Sequence, residues 1–145
     1  MVDDSVHVPK PLLVETLLGL LLRLVAVFGL WFGLSYWAML IGFSYGGRGR
    51  FDLLQPAWRA GATVLAVVYP VASVGLWLKV SWGPVLWVVA AVVEIVLFEF
   101  YPTAFGTKPL LVAMHAAIAT CFIVFRLAVA YRRLVQARRV STDSP

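Results

Sequence analysis

Charge is scarce in this chain, and so are the residues from which most enzymes build their sites. Of 145 residues only 13% are Asp, Glu, Lys or Arg, and there are two histidines and one cysteine. Soluble domains carry about a quarter charged residues, so an ordinary aqueous surface is excluded. A single cysteine, Cys121, excludes an internal disulfide and a paired-cysteine metal site. Lying within an apolar run, it is expected to be a small buried residue. The patterns H-E-x-x-H, G-x-S-x-G and G-x-x-x-x-G-K-[ST] are absent. No catalytic, metal or cofactor-binding residue is therefore expected, and the chain is read as a non-enzyme. His115 is the only histidine within an apolar run, which excludes a membrane haem held by two histidines of one chain.

What is abundant is apolar side chain: 62% of the residues are hydrophobic and mean hydropathy is +0.92. Lipid is the solvent for most of such a chain, and runs of about 20 apolar residues are membrane helices. The expected fold is all-α, an integral membrane four-helix bundle in up-down-up-down order. Residues 1–11, with Pro9 and Pro11, read as a disordered tail, residues 12–131 as the membrane domain, and residues 132–145 as a basic cytoplasmic tail. The spans are expected at about 24–43, 60–78, 84–101 and 110–131. The first apolar run, 12–43, is longer than a ~30 Å hydrocarbon core allows at ~1.5 Å per residue. Arg23 marks its border, leaving 12–22 to lie along the interface or project from it as helix.

The net charge of +5 could suggest nucleic acid, but the basic residues sit beside apolar runs and form no long basic face. Anionic headgroups are the expected contacts of Arg23, Arg126, Arg132, Arg133, Arg138 and Arg139, and no nucleic acid is expected. Eight lysines and arginines fall on the side of the two termini and four on the other, which places both termini in the cytoplasm. Gly29 and Gly33 form G-x-x-x-G, and Ala113, Ala116, Ala117 and Thr120 share a small-residue face. Both patterns allow close helix approach, within the monomer, in a homo-oligomer or against a membrane-protein partner.

The chemistry that remains lies inside the spans. Glu94 sits in the third and His115 in the fourth, at similar depth if those helices form an antiparallel hairpin. An intramembrane acid costs ~3 kcal/mol on insertion scales, so Glu94 should face other helices, a partner or water rather than lipid tails. The two form a candidate polar pair, either a structural hydrogen bond or a proton relay. Glu99, nearer the interface, is expected to pair with Lys108 or an arginine of the first loop.

Four segments, LWFGLSYWAML (30–40), GGRGRFDLL (46–54), GLWLKVSWGPVLW (75–87) and YPTAFGTKP (101–109), resemble a domain-of-unknown-function family of short four-helix inner-membrane proteins of alphaproteobacteria. The resemblance implies a bacterial inner (plasma) membrane location and a four-span fold, and carries no activity. The chain is also similar in size to small multidrug exporters, whose essential glutamate lies in the first span; here the intramembrane acid is in the third. The expected function is that of a non-enzymatic accessory or interaction subunit. The alternative is a small proton-coupled transporter using Glu94 and His115.

Overall fold

The computed structural model describes residues 13–43, 50–102 and 105–142, with the side chains of the last helix as far as Val135. The expected N-terminal tail, and the glycines and Arg48 of the first loop, lie outside the described residues. The chain is all-α. Four helices, α1 (Leu13–Leu40), α2 (Pro56–Trp77), α3 (Trp82–Phe100) and α4 (Pro109–Thr142), pack as a bundle, and each is long and apolar enough to cross a membrane.

Glycine geometry ends the first helix. Gly42, at a φ of +85°, lets its own N–H reach the Met39 carbonyl at 3.1 Å and that of Phe43 reach Ala38 at 2.9 Å. Two of the helix's orphan carbonyls are satisfied in this way. The same hydrogen-bond pattern closes α2, from Lys79 to Leu76 and from Val80 to Gly75. There the left-handed position is held by Lys79, at a φ of +57°, where glycine would be unstrained. Two residues later α3 begins at Trp82. The first helix runs unbroken from Leu13 through Arg23, as the second of the two alternatives for that segment, projection as helix, requires, and it stops at Leu40 rather than Phe43.

α2 is the centre of the bundle. Its buried stripe (Trp58, Ala62, Leu65, Tyr69, Ala72, Leu76) recurs at helical spacing, with α1 on one side and α3 on the other. Lipid tails are as apolar as leucine, so the helices associate through close packing. Glycines and alanines supply it. Gly29 lies against Ser73 and Tyr69, and Gly33 against Pro70, whose ring would meet an added Cβ at 2.6 Å. Thus the G-x-x-x-G of α1 is occupied within the chain, and it accommodates the proline inside α2. Gly83 of α3 meets the backbone of Gly75. Trp58, fully buried, donates its indole N–H to the Tyr101 carbonyl at 2.7 Å, sealing the end of α3.

α4 is attached differently. It packs mainly on α1, and only 6% of its most apolar stretch is buried, against 50% for α2. This overturns the expectation for Cys121, which is exposed on the outer side of α4 because no helix covers it. Ala113, Ala116, Ala117 and Thr120 are exposed with it.

Gly83→Ala should destabilise the bundle by about 1–3 kcal/mol despite alanine's better helix propensity, because overpacking against backbone cannot be relieved. Its Cβ would lie 2.4 Å from the Gly75 carbonyl carbon, whereas a Cβ at Gly61 meets only the mobile end of Leu97. Thermal unfolding in micelles should rank Gly83→Ala well below Gly61→Ala. Equal midpoints would show that α2 and α3 separate without cost.

Candidate functional site

Glu94 falls on the buried stripe of α3 (Gly83, Trp87, Ala90, Ala91, Glu94, Leu97, Phe98), so helix periodicity turns its carboxylate into the bundle. Three helices meet it there. Tyr36 of α1 donates its hydroxyl proton to Glu94 Oε1 at 2.6 Å, and Tyr69 of α2 donates to Glu94 Oε2. From α4, His115 brings Nε2 to 3.6 Å from Glu94 Oε2 and 3.3 Å from the Tyr69 hydroxyl. Glu94 and His115 are 2% and 4% exposed, so both are buried within the bundle. No buried side-chain polar atom among the described residues lacks a hydrogen-bond partner.

Proton counting constrains the cluster. His115 Nδ1 lies 2.9 Å from the Leu111 carbonyl, an acceptor only, so Nδ1 carries a proton. Both tyrosine protons point at the carboxylate. A bare Nε2 beside an ionised Glu94 would leave an uncompensated charge in hydrocarbon, at a cost of several kcal/mol. A further proton on Nε2 or on the Glu94 carboxyl would make the cluster neutral. Trp87 lies nearly parallel to the imidazole, at 5.8 Å between ring centroids and 18° between planes.

Two cavities flank the cluster. One, of about 240 Å³, reaches Glu94 and Tyr36 and is bounded by Trp31, Ser35, Met39 and Lys108. It has room for several waters. The other, of about 150 Å³, reaches His115 and Tyr69 and is walled by Val25, Phe28, Phe32 and Trp87. Two side chains with metal-ligating atoms meet here; among the described residues no group of three or more His, Cys, Asp or Glu could hold an ion.

The remaining expected positions scatter. Glu99 has no ion-pair partner among the described residues, because Lys108 lies 4.5 Å over the Phe98 ring instead, and this corrects the expected Glu99–Lys108 pair. Arg50 is taken by Asp52 at 2.6 Å, and its hydrogen bonds hold that exposed carboxyl below the usual carboxylate range. Arg23 sits 5.7 Å over Trp77, Arg133 pairs with Glu15 at 3.0 Å, and Arg126 and Arg132 are exposed. The side chains of Arg138 and Arg139 lie outside the described residues. Sequence reasoning missed both tyrosines. Neither was assigned to a polar site, although a hydroxyl placed mid-span needs a buried partner.

Glu94→Leu should cost about 1–3 kcal/mol for each of Tyr36 and Tyr69 left without its acceptor, whereas Glu94→Gln keeps a hydrogen-bonding group and should stay within about 1 kcal/mol of wild type. Unfolding of both variants in micelles measures this. A Leu variant as stable as wild type would mean that the cluster does not join the helices.

No curated protein and no solved structure is detectably similar to the chain. A family model does match, over residues 16–133, from the first turn of α1 to the last described turns of α4. The match takes in all four helices and every member of the cluster, and the chain belongs to this family of unknown function, DUF6163.

Proposed function

We propose that this multi-pass membrane protein is a non-enzymatic accessory or interaction subunit of the bacterial inner membrane that docks through the outer face of α4. The carrying observation is the uncovered small-residue face: Ala113, Ala116, Ala117 and Thr120 are exposed on a helix held to the bundle mainly through α1, His115 and the Glu15–Arg133 pair. Small residues let another helix approach closely, and the same feature is used inside the bundle at Gly29 and Gly33. The satisfied Glu94 cluster then serves as the polar lock that keeps α4 in register. Up-down-up-down order is supported by the antiparallel contacts of Gly29 with Ser73, Gly61 with Leu97 and Glu15 with Arg133. Cytoplasmic termini rest on the distribution of basic residues.

A second reading, a small proton-coupled transporter, is favoured by the cavity that reaches Glu94. It supplies access from one side. Transport also requires access from the other, and the cavity at His115 is walled by apolar and aromatic side chains. Proton exchange at Glu94 fits this arrangement better than passage across the bundle.

Ala117→Leu tests the first reading, because bulk at an exposed position should leave the chain's own stability within about 0.5 kcal/mol while blocking helix approach. Purification in gentle detergent should recover a stoichiometric partner, or a dimer, with wild type and not with the variant. Unchanged composition and size would mean that this face meets lipid. Proton flux in liposomes that Glu94→Gln abolishes would replace the first reading by the second. For orientation, reporters fused after Val140 should be active only in the cytoplasm and reporters within 46–52 only in the periplasm. The reverse pattern would overturn the placement of the termini.

A further inference from the structure

At the end of the bundle opposite Lys108, α1 and α4 diverge around a cleft of about 630 Å³. Its rim carries three cations from two elements: Lys79 from the turn after α2, and Arg126 and Arg133 from one face of α4. One acid, Glu15, faces them and is engaged by Arg133 at 3.0 Å. Among the described residues neither Lys79 nor Arg126 has a carboxylate within ion-pair distance. The walls below are apolar, with Leu22 on α1 and Leu127 on α4. Arg126 and Arg133 are two helical turns apart, roughly 10 Å, so the charge reaches from the mouth of the cleft down towards the hydrocarbon.

Lys79 is placed there at a backbone cost. It occupies the left-handed closing position of α2, where glycine would be unstrained, and its ammonium lies over Gly19 of α1, where an added Cβ would come within 2.7 Å of Nζ. Sparsely populated backbone held at one cation points to use of that side chain. Gly19 leaves the space the ammonium fills.

We propose that this cleft binds the phosphodiester headgroup of an anionic phospholipid, with Lys79 and Arg126 contacting the phosphate, Arg133 closing the rim, and the acyl chains lying along Leu22 and Leu127. Among the described residues, three cations against one carboxylate leave an excess of two positive charges, which a net-anionic headgroup matches and a zwitterionic one does not. The site shares Arg133 with the basic segment that begins at residue 132 but draws its other two cations, Lys79 and Arg126, from outside it, and it is independent of what docks on the outer face of α4.

The test uses the full chain, stripped of lipid in detergent, with binding read by native mass spectrometry and by the shift in unfolding temperature. Phosphatidylglycerol, phosphatidylcholine and inorganic phosphate are the three probes. Phosphatidylglycerol should bind at least tenfold more tightly than phosphatidylcholine, and Lys79→Gly combined with Arg126→Gln should erase that preference. Arg59→Gln, compared with Lys79→Gly alone, removes one charge from an exposed position at the other end of α2 and should change binding less than twofold. Should the double variant not fold, Lys79→Gly alone carries the test, since glycine adopts a φ of +57° without strain. Wild-type binding by the cleft variants, or as large a loss in Arg59→Gln as in Lys79→Gly, overturns the proposal. Millimolar phosphate that displaces phosphatidylglycerol and stabilises the chain equally would assign the cleft to free phosphate and overturn its assignment to lipid.

Discussion

A carboxylate inside hydrocarbon must be surrounded, and the rest of this structure follows from how Glu94 is surrounded. Each of the other three helices contributes one polar side chain to it: Tyr36, Tyr69 and His115. The geometry leaves little freedom. Tyr36 reaches one oxygen only if α1 and α2 approach closely, which Gly29 and Gly33 permit by leaving room for Ser73 and Pro70. Tyr69 reaches the other only because the α2–α3 turn is tight enough for Gly83 to touch Gly75. Small residues and polar cluster are thus two halves of one device, the first bringing backbones close and the second fixing their register.

The cluster also accounts for the position of α4, which apolar packing explains poorly. Few of its side chains are buried, yet His115 and Val129 are. Removing one member of a buried polar group leaves the others stranded, whereas replacing the whole group by well-packed apolar residues is often neutral. The network is therefore weak evidence for stability as such and stronger evidence for specificity. It selects one rotation of α4 about its axis, and that rotation presents Ala113, Ala116, Ala117 and Thr120 outward.

Much of the fold is legible in the residues because a bilayer imposes few solutions. Runs near 20 apolar residues, interrupted at 45–52, Lys79–Gly83 and Pro102, can only be four helices. The Glu94–His115 approach is legible too, since a short connection makes their helices antiparallel and equal offsets from the turn give equal depth. The tyrosines were not, because aromatic residues in a membrane sequence are dominated by packing and interfacial roles and no local spacing links positions 36, 69 and 94. The burial of Cys121 was misjudged for a related reason. An apolar run says that a residue avoids water, but lipid and protein satisfy that requirement equally, and only tertiary structure decides which one a side chain meets.

The same ambiguity makes the charged positions more informative than the apolar ones at the ends of the bundle. Arg23, Arg126 and Lys79 were alike in sequence, each a basic residue at a membrane border. In three dimensions they part. Arg23 lies over Trp77, where the ring face balances its charge. Arg126 and Lys79 converge on one cleft without a carboxylate of their own, and Lys79 does so from a backbone conformation that disfavours any side chain. A lysine that only needed to reach headgroups could do so from any exposed turn position. Its placement over Gly19, at the mouth of an apolar-walled cleft, calls for an anion that is itself anchored in the hydrocarbon.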